Sequence, residues 1–509
     1  MIQKIIQKIK KNDECSLVEI NWLKDCTPSF NLLALYYHAI FNDEEFKSII
    51  PILESKIDNK YWHKNILCSD INKKYQNIIR KVLYQEFITK KEFDFLSQEI
   101  INNVADYNLL AIFVVCVYYH NLDDETTNEL TKSMLYSGNI YDYRSQNKHD
   151  RYKIVRRYPT GALSEKIALI LPAILSHYSK KFNIRSPFLV AKSLGFTGGT
   201  WDKLRSIPNI EFIEQGDKLI DVLKNIGTAY CMTGINVAPV DRFLYEFRSL
   251  TGTIENDSLI VSSIASKQLA IPADILVMDI RYGEGAFLAN YKEATQTGEN
   301  LKTVLSNNGM SCVLSYTDTS QPNGVCIGNY WETYEAICLL KGIYKNEILK
   351  YEISKQQIEL VIKMFLLIIQ ELKENIDLHI LEQEVTAKLG KGVFYADFLR
   401  ILGSNKVREE TIDSCFFQKN SDNFFKSVIY NSKSGVISKL RQKEIGNYIN
   451  FFLGNNNYDL DDNYFNYSGM ILNACVGEKV KEGEILCTVI HSKGKVIDHN
   501  YVNSLFVIN

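Results

Sequence analysis

The fold is decided by the stretch Arg156-Arg157-Tyr158-Pro159-Thr160-Gly161-Ala162-Leu163-Ser164-Glu165-Lys166, which runs straight into the apolar segment Ile167-Ala168-Leu169-Ile170-Leu171. A turn that opens into a helix leaves backbone N–H groups converging on one spot, so the local chemistry fits an anion site. Many loops share this composition, so the signal needs company. It comes from a second glycine-hydroxyl turn, Leu194-Gly195-Phe196-Thr197-Gly198-Gly199-Thr200-Trp201-Asp202-Lys203. The two lie about 30 residues apart, the separation of successive strand-to-helix connections in an α/β unit.

Outward from these turns, short strands alternate with helices. A helix is expected over 167–175, bent at Pro172, then a strand over 188–191, a helix starting at 201–206 and a strand over 226–232. Further strands read at 275–280 and 311–316, and the turn Gln321-Pro322-Asn323-Gly324 leads to a helix carrying Glu332 and Glu335. Strand, turn and helix in repetition predict an α/β domain with a mostly parallel sheet flanked by helices. Long helices fill 357–374. From about 425 the pattern is strand-rich, with a two-turn β signature over 477–486, predicting a C-terminal α+β portion.

Residues 1 to about 80 read as short helices: Ile2, Ile5, Ile6 and Ile9 share one amphipathic face, and 31–41 and 44–56 look helical too. Three helices follow at 91–103, 108–120 and 124–137, each near a polar cap: Thr89, Asp106 and Asp123 or Asp124. Two more open at Pro239 and at Asn256-Asp257-Ser258. The first carries Tyr245 and Arg248 three apart; the second carries Ser263 and Lys267 four apart, so each pair shares a helix face. A Tyr and an Arg facing a Ser and a Lys would make a pocket edge with two cations.

A chain of 509 residues with 46% hydrophobic and 23% charged residues has the composition of a globular protein with a large core. A net charge of −2 shows no bulk preference for nucleic acid or an anionic membrane. Eleven cysteines without metal-ligand spacing point to reduced thiols in a cytoplasm and to no metal site. The first residues are amphipathic rather than continuously apolar, so no secretory signal is expected, and the longest apolar run is too short to span a bilayer.

Taken together, these segments resemble the pyrimidine nucleoside phosphorylase family, which includes thymidine phosphorylase. Thr197-Gly198-Gly199-Thr200-Trp201-Asp202-Lys203-Leu204-Arg205-Ser206-Ile207-Pro208 is similar to its TGGTxDKLxSIPG segment, with Asn209 in place of the last glycine. Residues 244–267 match as well, as does Val277-Met278-Asp279-Ile280-Arg281-Tyr282-Gly283-Glu284-Gly285-Ala286-Phe287. The resemblance covers about 85–495 and implies a separate all-α domain, 82–150 completed by 238–270, beside an α/β phosphate-binding domain of 151–237 and 271–420. Residues 1–81 would be a helical extension, a place for a protein partner, and 421–509 the C-terminal portion.

The resemblance further implies phosphorolysis of a pyrimidine nucleoside to free base and pentose 1-phosphate, by a homodimer with inorganic phosphate as co-substrate and no other cofactor. Tyr245 and Ser263 would bind the base, with Arg248 and Lys267 as catalytic cations. Arg157, Thr160, Gly161, Ser164 and Thr200 would hold phosphate across a cleft that closes to exclude water.

The phosphate turn departs from the family's K-H-S-T-G-G-V-G-D. Arg157 stands for the lysine and Thr160 and Gly161 are kept. Tyr158 replaces the histidine, Pro159 the serine, Ala162 the second glycine and Ser164 the third. Two further phosphate-contacting serines align with Ala168 and Val190. Some members hold potassium here, through a hydroxyl aligned with Lys166 and a carboxylate aligned with Glu335. Lys166 is therefore expected either to replace that ion and pair with Glu335 or to form a solvated pair with Glu165. Two other functions stay open: a non-catalytic binding or assembly protein, and a transferase with a phosphorylated sugar donor, as in the related anthranilate phosphoribosyltransferases.

Overall fold

The computed structural model describes residue 5 and residues 70–144, 152–192, 195–232, 234–346, 348–349, 351–373, 375–418, 424–454 and 467–509. The helices expected at 31–41 and 44–56, and the face formed by Ile2, Ile6 and Ile9, lie outside these residues. The chain divides into a unit of Met1–Ile140, Ile235–Ile271 and Thr303–Gly309 and a unit of Tyr141–Gly234, Pro272–Lys302 and Met310–Asn509.

The described part of the first unit is helical. Helix Tyr107–His120 buries every residue from Leu109 to Val117, the pattern of a helix surrounded by others. Tyr75, Ile78 and Val82 of helix Asp70–Leu83, Phe93 of Lys90–Ile101 and Leu244 and Phe247 of Pro239–Thr251 complete this core. The helix starts follow from local chemistry. Thr89 and Glu92 form a reciprocal capping box, and Asp106 and Asp123 accept backbone N–H groups of the helices they precede. Asn256 caps Asp257–Ala270 by accepting from Leu259 N, while its amide donates to Val117 O. The cap also ties two helices together.

The second unit is built on a parallel sheet of five strands: β1 Lys153–Pro159, β2 Ile184–Val190, β3 Thr228–Met232, β4 Ile275–Tyr282 and β5 Cys312–Asp318. Across the sheet they run in the order β3-β2-β1-β4-β5. Nearly all of β4 is buried, as expected of a parallel strand covered on both faces. Apolar residues of helix Ile167–Tyr178 pack with Trp331, Phe365 and Phe398 in this unit's largest core cluster. That helix extends past the expected end, and Pro172 sits inside it without ending it. The strand expected from 226 starts instead at Thr228, because Ile226 closes helix Asp217–Ile226 and Gly227, at φ 88°, terminates it.

The strand order turns back between β1 and β4. Their carboxyl ends therefore form the topological switch point, where open α/β sheets bind ligands.

The C-terminal strands build two antiparallel sheets. β6 Cys326–Ile327, β9 Gly469–Leu472, β11 Ile485–His491 and β7 Phe425–Tyr430 form one, in that order. β10 Lys479–Val480, β8 Gly435–Leu440 and β12 Phe506–Ile508 form the other. Gly477 and Gly483, both in the left-handed region, bracket β10 and account for the two-turn signature. Among the described residues, no helix is long and apolar enough to cross a membrane.

Candidate functional site

Two clusters hold the residues singled out in the sequence, one in each unit. In the α/β unit, the turn after β1 is clamped to β4 and to the turn that follows it. Thr160 N donates to Asp279 O at 3.0 Å, Arg281 N donates to Thr160 Oγ1 at 2.8 Å, and Leu163 N donates to Gly285 O at 2.8 Å. Gly161 takes φ 98° and Ser164 φ 60°. A serine in the left-handed region is strained. Here its hydroxyl donates toward Cys326 O at 2.9 Å and Asn323 O at 3.2 Å, which holds the conformation in place.

Beneath the turn lies a buried ionic network. Arg157 Nη1 is 3.0 Å from Glu165 Oε1, and its Nη2 donates to Asp279 Oδ2. Arg281 reaches the same Asp279 oxygen through Nε at 2.8 Å and Nη2 at 2.7 Å. Thr317 Oγ1 donates to Asp279 Oδ1 at 2.6 Å. Burial alone would push the Asp279 carboxyl up, but Arg281, Arg157 and the Thr317 hydroxyl outweigh it and hold it at about 2. Glu165 is likewise held below the usual carboxylate range: against burial, Arg157, Arg281 and Lys203 stabilise its charge.

Lys166 and Lys203 extend the network. The Lys166 ammonium donates to Ser164 Oγ at 2.5 Å, Asn323 O at 2.6 Å and Ser164 O at 3.3 Å, and lies 3.2 Å from Glu335 Oε2. Lys166 is fully buried and pairs with Glu335; the solvated pair with Glu165 does not form. Glu335 also accepts Val325 N and Cys326 N, and a Cβ at Gly324 would collide with its carboxylate. An alkali ion does not fit here, because the ammonium already holds the oxygens that such an ion would take. Lys203 pairs with Glu332 at 2.9 Å and donates to Glu165 O.

Of the residues expected to hold phosphate, Arg157 and Ser164 are thus engaged inside the protein. Thr160, Gly161 and Thr200 lie on a partly exposed rim. In the second turn, Asp202 Oδ2 accepts Gly199 N at 3.0 Å, so the N–H at the start of helix Thr200–Leu204 meets the chain's own carboxylate. Asn209, where the family has glycine, adopts φ 59°, a conformation asparagine tolerates better than most residues.

In the helical unit, Tyr245, Ser263 and Lys267 are brought together. The Lys267 ammonium lies 2.7 Å from Asp241 Oδ2 and 3.1 Å from Ser263 Oγ, and 5.0 Å from the centre of the Tyr245 ring. Helical spacing explains this. Asp241 and Tyr245 are four apart on helix Pro239–Thr251, and Ser263 and Lys267 four apart on Asp257–Ala270. The Lys267 side chain keeps 19% of its surface exposed.

Arg248 is buried and bonded to backbone carbonyls. Its Nη1 donates to Leu259 O at 2.9 Å, its Nε to Thr253 O at 3.2 Å and its Nη2 to Ile254 O, bracing the turn between the two helices. Burial pulls its pKa down to about 10.

Asp241, Asp279, Arg281, Glu332 and the carboxylate of Glu165 received no role from the sequence. Asp241 carried a local signal in its spacing to Tyr245, and Arg281 bonds Asp279 from two residues along the same strand; Asp279 meets Arg157, and Glu332 meets Lys203, across elements distant in the chain. Among the described residues, no group of three or more His, Cys, Asp or Glu could hold a metal ion.

No family model matches the chain. Among solved structures, it is similar to anthranilate phosphoribosyltransferase (TrpD) from Thermus thermophilus, at 10% identity and a TM-score of 0.48, over 65% of this chain and 99% of that one.

Proposed function

We propose that the protein cleaves the glycosidic bond of a pyrimidine nucleoside, or of a modified relative, transferring the pentosyl group and releasing the free base. The observation that carries this reading is the Lys267 ammonium, held by Asp241 and Ser263 beside the Tyr245 ring on a side chain that keeps 19% of its surface exposed. When the bond breaks, negative charge develops on the departing pyrimidine, and a pre-positioned ammonium stabilises that charge more than the neutral ground state. Ser263 fixes the base edge, Tyr245 bounds the ring, and Arg248 keeps the two helices at the spacing this requires. Asp241 orients the ammonium.

The sequence resemblance supports the same pyrimidine class, a homodimeric assembly and inorganic phosphate as the acceptor. In that form the product is pentose 1-phosphate. Incubation with uridine, thymidine and cytidine, each with and without phosphate, tests the proposal through release of free base. Absence of release from all of them would remove it.

A second reading, a non-catalytic binding protein, is favoured by one observation: the Arg157 guanidinium is already engaged by Glu165 and Asp279. Binding of free pyrimidine without any turnover would support it.

A further inference from the structure

Past the carboxyl end of β5 the α/β unit carries a polar cleft of about 500 Å³, within the size range of small-molecule sites. Thr317 and Asp318 of β5, Gln321 and Asn323 of the turn that follows, and Glu359 and Lys363 of helix Tyr351–Glu371 line it. Thr160, Gly161 and Thr200 do not, so the cleft is separate from the rim of the turn after β1.

Two observations point to a ligand there. Asn323 is 3% exposed, and its Nδ2 is buried with no hydrogen-bond partner among the described residues. Gln321 Oε1, two residues before it, is buried and unpartnered in the same way. Such a donor and acceptor cost stability unless something from outside completes them. The second observation is that the lining is fixed from behind. Asn323 O accepts the Lys166 ammonium at 2.6 Å and Ser164 Oγ at 3.2 Å, and Thr317 Oγ1 donates to Asp279 Oδ1 at 2.6 Å. A ligand that meets residues already held in place loses little free energy to ordering them.

The lining also selects the chemistry. Asp318 and Glu359 are exposed and bring two carboxylates against the one ammonium of Lys363, so a phosphate or carboxylate ligand is repelled. An ammonium ligand would suit the carboxylates but has no acceptor to offer Asn323 Nδ2. A hydroxyl group does both: it donates to Gln321 Oε1 or a carboxylate and accepts from Asn323 Nδ2.

We propose that this cleft binds a neutral polyhydroxylated small molecule, a monosaccharide or cyclic polyol, through Asn323, Gln321 and the carboxylates of Asp318 and Glu359. The binding does not depend on the glycosidic cleavage proposed above, whose residues belong to the helical unit.

The experiment titrates the full chain with glucose, ribose, 2-deoxyribose and myo-inositol, followed by calorimetry and by melting temperature. At least one of the four is expected to bind saturably with a Kd below about 5 mM and to raise the melting temperature with concentration. Neither inorganic phosphate nor spermidine is expected to displace it. Asn323→Leu and Gln321→Leu each replace a hydrogen-bonding side chain by an apolar one and should weaken binding about tenfold or more. Gln321→Leu, at the less buried position, carries the comparison if Asn323→Leu does not fold. Lys267→Ala, in the other unit, should change the affinity by less than about twofold. The proposal is overturned if none of the four binds saturably, if the folded Leu variants bind as the unmodified protein does, if phosphate or spermidine displaces the sugar, or if Lys267→Ala abolishes the binding.

Discussion

The two clusters use the same residue types and treat them in opposite ways. In the α/β unit, guanidinium, ammonium and carboxylate groups are sealed together with nearly no exposure. In the helical unit, Lys267 has a carboxylate partner but keeps part of its surface, a hydroxyl neighbour and an aromatic ring. A cation surrounded by its own counter-ions holds a structure together. On the proposed function, a cation whose side chain keeps part of its surface beside a ring is the one that meets the base. The same residue types thus sit in two different states of counter-charge.

The largest effect on this contrast is expected from Asp279→Ala. It leaves Arg157 and Arg281 sharing only Glu165, so an apparent stability loss of about 3–5 kcal/mol is expected from the denaturant midpoint. A loss below about 1 kcal/mol would mean that water already reaches the network. Next in size is Lys166→Thr, which strands the Glu335 carboxylate. A loss of about 3 kcal/mol is expected in potassium-free buffer, with partial recovery when potassium is added, while the unmodified protein melts at the same temperature in both. A potassium requirement in the unmodified protein would refute the assignment of the ammonium to that role.

Arg248→Ala and Lys267→Ala set the backbone brace against the Lys267 cluster. Removing the Arg248 guanidinium leaves three carbonyl groups without their donor and should cost about 2–4 kcal/mol of stability. Lys267→Ala should shift stability by about 1 kcal/mol or less yet lower base release by about 100-fold or more. Equal stability losses in the two variants would erase the distinction.

The pH dependence follows from Asp279. Its folded pKa, about 2, lies below the value of about 3.9 for an unfolded aspartate. Its contribution is therefore complete above pH ~4 and is lost as pH falls through about 2, amounting to about 2 kcal/mol. Asp279→Asn should flatten that part of an acid titration of stability. The smallest effect expected is from Asn209→Gly, a gain of at most about 0.5 kcal/mol, since asparagine already tolerates the left-handed backbone. A larger gain would show that the turn is strained.

What the sequence made legible was what is written locally. Caps at Thr89, Asp106, Asp123 and Asn256 announced helix starts through side chains that bond a few residues ahead. The parallel sheet was legible from apolar runs between glycine turns, and the pairing of Ser263 with Lys267 from helical spacing; that Tyr245 joins them was implied by the resemblance alone. The start of β3 was misplaced by two residues because Ile226 is apolar in either element, and only the left-handed Gly227 separates them. The engagement of Arg157 was not legible. Its partner Asp279 lies 122 residues away on β4, and nothing in either local sequence encodes that the two meet. The same holds for Lys166 with Asn323 and for Lys203 with Glu332.

Those separations have a kinetic consequence. The Arg157–Asp279 pair cannot close before β4 is laid beside β1, and Lys166 meets Glu335 only once helix Asn329–Leu340 has docked. Contacts between such distant segments form late in folding, because their loops must close first. Interactions absent from the folding transition state leave the folding rate nearly unchanged and act on the unfolding rate instead. The sealed charges are therefore expected to set how long the folded molecule lasts rather than how quickly it forms.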